Sequence, residues 1–242
     1  MRQKRLDEIL IQQGFAKDKQ SAFVLVTEGR VLVDGQKSVS PAQSVKKEAE
    51  ILVREEPKYV GRGAHKLEAA IRQFKIKTEG KVCADIGSAT GGFVEILLKY
   101  GAERVYAIDT AVGKLALKLR QNPKVIALEG KDVRKLERLP ENGELVTVDV
   151  SLIPLEGILP AVRKFLAPNG KIIALFKPQY ETRDRSILKK GVIKDNQARE
   201  NLLKNFIKWC KENNWKIVDR MESPLKGDKG NTEYLIYLIP GS

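Results

Sequence analysis

The chain has 242 residues, of which 42% are apolar and 31% are charged. Its formal net charge of +13 favours a polyanionic partner, either nucleic acid or an anionic membrane surface, although a lysine-rich surface also serves solubility. The single histidine, His65, argues against a histidine-rich metal site and a Ser-His-Asp triad. The two cysteines lie in apolar segments with no metal-site or disulfide spacing, so we predict no metal site and a reducing, cytoplasmic setting.

The chain begins with a charged segment that no apolar stretch follows, which argues against a signal peptide. No apolar run reaches the roughly 18 residues that a membrane span requires. We therefore expect no membrane-spanning segment.

The first 56 residues predict a small α+β module. Apolar residues recur at helical spacing over 5–13, and Asp18 is a candidate N-cap for a second helix that ends at Gly29. An apolar strand at 31–33 runs into a tight turn, and a returning strand follows at 51–53. Six basic residues in or beside the helices are candidate RNA contacts: Arg2, Lys4, Arg5, Lys17, Lys19 and Arg30.

A charged segment broken by Pro57 follows, and we place a linker at 57–62 and a second domain at 63–242. In that domain apolar strands alternate with helices, which predicts an α/β, doubly wound, mostly parallel Rossmann-like sheet. The last two strands have no helix between them and should pair antiparallel. The predicted strands are 82–86, 104–109, 125–128, 145–150, 171–176, 216–221 and 234–239, and the predicted helices are 92–100, 114–120, 155–165 and 196–212.

A glycine-rich loop joins the first strand of this sheet to its first helix. It runs from Asp85 through Gly87, Gly91 and Gly92 to Phe93. The spacing lacks the close first pair of glycines in a G-x-G-x-x-G dinucleotide site, and an acidic residue before the first glycine suits a cationic ligand. S-adenosylmethionine is therefore favoured over NAD, with a purely structural turn as the alternative. Asp109, at the end of the second strand, is placed to receive ribose hydroxyls.

Four charged residues lie where a Rossmann-like fold could bring them together: Lys66, Asp149, Lys177 and Glu233. Such a set suits methyl transfer to a ribose 2′-hydroxyl, which is a poor nucleophile until its proton is removed. A lysine can accept that proton when burial or a neighbouring cation favours its neutral form, and we expect Lys66 to lie near Lys177. Lys177 is the candidate proton acceptor, and Asp149 and Glu233 would orient the two lysines. For each residue alone, a charge that merely ends a buried strand is an equal alternative.

The sequence resembles the TlyA family of bacterial ribosomal RNA methyltransferases, whose catalytic domain is similar to FtsJ-type 2′-O-methyltransferases. The matching segments are RGAHKL (62–67), DIGSATGGF (85–93), IDTAVGKLALKLRQNPKV (108–125), DVSLIPL (149–155), ALFKPQYE (174–181) and NTEYL (231–235). The N-terminal part resembles the S4 RNA-binding domain through RLDEIL (5–10), GFAKDKQSA (14–22) and EGRVLVDG (28–35).

The resemblance implies S-adenosylmethionine-dependent 2′-O-methylation of cytidine in small-subunit and, in some members, large-subunit ribosomal RNA. It implies a catalytic Lys-Asp-Lys-Glu tetrad at the four charged residues above, and an adenine contact at Asp132, where relatives carry asparagine. Arg62 and Arg183 are further candidate RNA contacts. The full set of candidate cofactor contacts is Asp85, Gly87, Ser88, Thr90, Gly91, Gly92, Phe93, Asp109 and Asp132.

Two other functions are compatible with parts of the sequence. One is a non-catalytic RNA-binding factor for ribosome assembly, which the intact tetrad argues against. The other is a membrane-active cytolysin, because some members of the family bear the name hemolysin, but only the basic charge supports it. The segment 180–194 is either a basic lid over the site or a plain solvated loop.

Overall fold

The computed structural model describes residues 3–27, 29–46, 48–55 and 58–241. The chain forms two compact units, Met1–Lys58 and Tyr59–Ser242. The boundary between them falls inside the predicted linker 57–62, of which Pro57 lies outside the described residues. Tyr59 is buried in the core of the second unit.

A local sequence signal marks one end of each helix in the first unit. Helix α1 (Leu6–Gln12) buries its apolar stripe, and Gly14 follows it with a φ of 77°. Helix α2 (Lys19–Thr27) is capped by Asp18, whose Oδ1 accepts a hydrogen bond of 2.7 Å from the Ser21 backbone amide. The two helices pack on the small apolar cluster that forms the core of this unit.

The described residues of the first unit also form five short strands. β2 (Val31–Val33) pairs antiparallel with β3 (Gln36–Lys37) through the predicted turn at Asp34 and Gly35, whose φ angles of 50° and 77° suit a tight hairpin. β5 (Ile51–Val53) pairs with the other side of β2, as predicted. The pair of β1 (Gln3–Arg5) and β4 (Ser44–Lys46) was not predicted, because β1 is exposed throughout and has no apolar pattern.

A seven-stranded sheet organises the second unit, in the order β11-β12-β10-β9-β6-β7-β8. All neighbouring pairs from β10 to β8 are parallel, whereas β12 pairs antiparallel with both β10 and β11. The predicted α/β fold with a mostly parallel sheet and antiparallel last strand is confirmed. The strands are β6 (Val82–Ile86), β7 (Arg104–Asp109), β8 (Val125–Glu129), β9 (Gly143–Val148), β10 (Leu166–Phe176), β11 (Trp215–Glu222) and β12 (Tyr234–Pro240).

Helices cover both faces of the sheet and bury one apolar cluster on each. The predicted helix over 155–165 is broken, because Pro160 lies at the start of α6 and 3₁₀ turns flank it at 155–157 and 163–165. Helix α3 was not predicted. The helices are α3 (Gly63–Gln73), α4 (Gly92–Lys99), α5 (Leu117–Arg120), α6 (Leu159–Val162), α7 (Pro178–Glu181) and α8 (Asn196–Glu212).

The strand register brings Asp149, Lys177 and Glu233 to one edge of the sheet. Val148 is paired with Ala174, so both β9 and β10 end toward the same edge. Phe176 is paired with Tyr234 in the antiparallel partner, so Lys177 leaves β10 where Glu233 enters β12. A parallel sheet places the carboxyl ends of its strands together, and the antiparallel β12 contributes its amino end there.

Candidate active site

Two lysine–carboxylate ion pairs meet in a single cavity of about 530 Å³. Lys177 Nζ lies 2.6 Å from Asp149 Oδ1, and Lys66 Nζ lies 2.6 Å from Glu233 Oε2. Both lysines and Glu233 are buried, and Asp149 is half-buried. The structure therefore brings all four predicted tetrad residues together.

Each ion pair touches one neutral polar side chain. Lys177 Nζ donates a hydrogen bond of 3.2 Å to Ser151 Oγ. Gln179 Nε2 donates a hydrogen bond of 3.3 Å to Glu233 Oε1. Both partners lie two residues beyond a tetrad member, at the same sheet edge.

The glycine loop lies next to this cavity and lines a second one of about 120 Å³. Gly87 has a φ of 84°, and a Cβ there would lie 2.3 Å from the backbone oxygen of Asp149, so only glycine fits. Gly91 has a φ of 96° and begins α4. The predicted cofactor residues that line the small cavity are Asp85, Gly87, Ser88, Thr90, Gly92 and Phe93, and they are joined there by Asp149 and Arg62.

Asp85 is the buried carboxyl group of this loop. Its Oδ1 accepts a hydrogen bond of 2.6 Å from Thr147 Oγ1, whereas Oδ2 is buried and has no hydrogen-bond partner among the described residues. Burial raises the pKa of Asp85 to about 8, because the Thr147 hydrogen bond offsets only part of the lost hydration. An unsatisfied carboxylate oxygen beside a cavity is suited to a cationic or hydroxyl donor from a ligand.

Three predicted cofactor contacts do not line either cavity. Gly91 turns the chain into α4. Both oxygens of Asp109 accept backbone amide hydrogen bonds of 2.7 Å, from Ala89 and Ala111, so this carboxylate shapes the loop. Asp132 forms an ion pair of 2.6 Å with Arg134 and caps the 3₁₀ turn that follows, and this pairing holds the pKa of Asp132 at about 2. The ribose contact of Asp109 and the adenine contact of Asp132 remain predictions.

The predicted RNA contacts are spread over both units. Lys4, Arg5, Lys17 and Lys19 are exposed, Arg30 is half-buried, and Arg2 lies outside the described residues. Arg5 forms an ion pair with Asp7, and Arg30 donates to the backbone oxygen of Arg54. In the second unit Arg62 lines both cavities and is held by Asp228, whereas Arg183 is exposed and Arg185 is the arginine that lines the large cavity.

Several residues that line the large cavity were not predicted from the sequence. Ser151, Gln179 and Tyr180 each follow a predicted tetrad residue within three positions, which is the signal that could have found them. Asn231 precedes Glu233 by two residues, is buried, and bonds through its amide to Gly191 and Ile193. It thereby fixes the end of the segment 180–194 to the wall of the site.

Comparison with known proteins identifies the families of the two units. The family model for FtsJ-like methyltransferases matches residues 59–239, and the S4 domain model matches residues 4–51. Hemolysin A of Brachyspira hyodysenteriae is 38% identical over 97% of this chain and 99% of its own length. The 16S/23S rRNA (cytidine-2′-O)-methyltransferase TlyA of Mycobacterium tuberculosis is 37% identical over 98% of this chain and 90% of its own length.

Solved structures show the same relationship. A protein from Streptococcus thermophilus, named as a hemolysin, superposes with a TM-score of 0.75 at 31% identity and covers 100% of this chain and 90% of its own. A second one, from Lactococcus lactis and also named as a hemolysin, has a TM-score of 0.72 at 35% identity over 76% of this chain and 89% of its own.

Within the described residues, no helix has the length and apolar character needed to cross a membrane. The resemblance predicted from the sequence motifs is confirmed by the family models and by the relatives. The chain belongs to the FtsJ-like methyltransferase family, within its TlyA branch, and is a methyltransferase that also has an S4 domain.

Proposed function

We propose that this protein transfers the methyl group of S-adenosylmethionine to the 2′-hydroxyl of a cytidine in ribosomal RNA. The supporting observation is the convergence of Lys66, Asp149, Lys177 and Glu233 in one cavity that adjoins the glycine loop. Two cavities that share Asp149 and Gly87 suit a reaction in which a donor and an acceptor must meet.

The residues of the small cavity fit S-adenosylmethionine. Its ammonium group is a suitable partner for the unsatisfied Asp85 Oδ2, and the loop offers no pyrophosphate cradle. Gly87 keeps the floor of the cavity open, because any side chain there would collide with Asp149. When bound, this cofactor supplies a methyl group that its sulfonium has already activated.

The protein's own contribution is alignment and the movement of one proton. Lys177 Nζ first releases its own proton to solvent and then takes the proton of the ribose 2′-hydroxyl, and the Asp149 carboxylate at 2.6 Å stabilises the ammonium that results. Lys66 is held by Glu233 and faces the same cavity, where its Nζ places a second positive charge near the attacking oxygen.

The S4 unit and the basic residues of both units suit RNA as the acceptor. The M. tuberculosis relative is named as acting on cytidine in 16S and 23S ribosomal RNA, and we extend that substrate class to this chain. We propose that residues 1–56 bind RNA phosphates, that 57–62 link the domains, and that 63–242 perform the transfer on ribosomal subunits in the cytoplasm. Arg62 beside the cavity and the exposed Arg183 are proposed to contact the RNA near the target nucleotide.

Transfer of labelled methyl to ribosomal subunits from a strain that lacks the enzyme tests this proposal. Label should appear as an alkali-resistant 2′-O-methylcytidine. Lys177→Ala should lower the transfer rate by roughly 10²-fold or more and leave binding of S-adenosylmethionine within twofold. Lys204→Ala, on the exposed surface of α8, is the matched control and should transfer at the wild-type rate. Retained transfer by Lys177→Ala refutes the assignment of Lys177, and an unlabelled wild-type reaction favours a non-catalytic RNA-binding factor.

A further inference from the structure

Gln179 holds one of the two ion pairs of the site. It lies on α7, two residues after Lys177, and its side chain is buried against the large cavity. Its Nε2 donates to Glu233 Oε1 at 3.3 Å, and the other oxygen of Glu233 accepts from Lys66 Nζ at 2.6 Å. Gln179, Glu233 and Lys66 thus form a continuous chain of polar contacts from α7, through the residue that precedes β12, to α3.

Gln179 is the group that fixes the rotation of the Glu233 carboxylate. A Cβ at Gly227 would lie 2.4 Å from Glu233 Oε1, so the backbone at Gly227 closes one side of the carboxylate without donating a hydrogen bond to it. Among the described residues, the hydrogen bond to Oε1 comes from Gln179 and the one to Oε2 from Lys66. Without Gln179 the carboxylate would be fixed at one oxygen alone.

Gln179 is poorly explained as a stabilising residue. Its Oε1 is buried and has no hydrogen-bond partner in the described part of the chain, and an unsatisfied buried acceptor costs free energy in the folded state. An apolar residue of similar volume would avoid that cost. The amide is therefore better explained by what its other end does at Glu233.

We infer that Gln179 is a positioning residue for methyl transfer, which holds the Glu233 carboxylate so that Lys66 stays directed into the cavity. This inference rests on the proposed function of the site. Gln179 acts on Lys66 through Glu233. In the other ion pair, Ser151 contacts Lys177 directly, beside Asp149. Loss of Gln179 should lower kcat and spare the KM values for both substrates, because its amide donates to Glu233 and the residue does not belong to the glycine loop.

Two substitutions separate positioning from packing. Gln179→Leu removes the donor and should lower kcat by about tenfold to 100-fold at every pH, because a hydrogen bond to a charged group is lost. Gln179→Glu keeps a donor only while the new carboxyl is protonated, and its neighbours Glu233, Lys66, Lys177 and Asp149 determine when it ionises. Its kcat relative to wild type should be highest at the lowest pH of the profile and should fall at least tenfold as rising pH ionises the new carboxyl. Gln197→Leu on the exposed face of α8 is the control and should match wild type.

The outcomes distinguish this inference from the proposed function. A wild-type protein that transfers no methyl refutes the proposed function itself. Wild-type transfer together with an unchanged kcat in Gln179→Leu refutes the role of Gln179 alone. A parallel loss of cofactor and RNA binding in Gln179→Leu, or a Gln179→Glu ratio that does not change with pH, also refutes it. Should Gln179→Leu fail to fold in thermal melts, the pH profile of Gln179→Glu decides.

Discussion

Asp85 combines two properties that stability alone does not favour, complete burial and an oxygen without a partner. Burial raises its pKa to about 8, from an ordinary value near 3.8. Between these two values the folded protein holds a proton that the unfolded chain has released. The folded state therefore loses stability as pH rises through this window, by at most about 1.4 kcal/mol per pH unit from this group.

Asp85→Asn should therefore stabilise the cofactor-free protein and weaken cofactor binding. The gain in free energy of unfolding should increase from about pH 5 to pH 8, because asparagine has no proton to release. Affinity for S-adenosylmethionine should fall roughly tenfold to 100-fold, the usual worth of a hydrogen bond to a charged group. Urea denaturation at several pH values and calorimetric titration of the cofactor measure the two effects.

Asp219→Asn, on the exposed part of β11, is the control for the Asp85 substitution and should show neither effect. A destabilised Asp85→Asn protein with unchanged cofactor affinity would mean that the carboxylate serves the fold and receives no ligand. Asp85→Asn is expected to raise stability and to lower cofactor affinity, and these opposite changes separate a ligand-binding role of the carboxylate from a structural one.

At the scale of elements, α8 shows how one capping residue begins a long helix. Asp195 Oδ1 accepts a hydrogen bond of 2.8 Å from the Gln197 backbone amide, and 17 helical residues follow from Asn196 to Glu212. Asp195→Ala should lower the free energy of unfolding by about 0.5–2 kcal/mol, because an amide in the first turn loses its acceptor. Chemical denaturation monitored by circular dichroism measures this change. Glu200→Ala, on the exposed face of the same helix, should change stability by less than about 0.5 kcal/mol, and an equal loss in both variants would contradict a capping role.

Regular elements with a clear apolar period could be predicted from the sequence, and α8 begins and ends where its pattern predicted. The strand order, by contrast, depends on contacts between distant segments. Helix α3 was missed because its amphipathic stripe begins right after a glycine-rich turn without a capping side chain. The broken helix around Pro160 was missed because its apolar period continues through residues that the backbone cannot keep in one helix.

The tetrad could be predicted because each member directly borders an apolar strand or lies in a recognisable motif. Gln179 and Ser151 were not predicted, because their one signal is a position two residues after a tetrad member, and neutral polar residues after a strand are common in loops. The hydrogen bonds that Asp109 and Asp132 accept within their own loops could not be predicted either, because a sequence does not show which backbone amides point toward a carboxylate.

On the scale of the whole molecule, the excess of lysine and arginine is the dominant feature, with a net charge of +13. Binding of a polyanion releases the counterions that its phosphates hold, so affinity falls steeply as salt rises. A protein that neutralises about six phosphates loses roughly 10³-fold in affinity between 50 and 200 mM salt. Exposed basic side chains such as Lys17 and Lys19 are available for this purpose in the first unit.

We expect RNA binding by this protein to be strongly salt-dependent and binding of S-adenosylmethionine to be nearly insensitive to salt. The double substitution Lys17→Ala and Lys19→Ala should lower the slope of log affinity against log salt by about two and leave cofactor affinity unchanged. Fluorescence anisotropy with a ribosomal RNA fragment, measured at four salt concentrations, gives the slope. The matched pair Lys204→Ala and Lys208→Ala removes the same charge from α8, where both lysines are exposed. If both double variants reduce the slope equally, RNA responds to the total charge of the molecule. If only the Lys17 and Lys19 pair does, the S4 unit provides a defined phosphate-binding face, as the proposed division of labour between the two units requires.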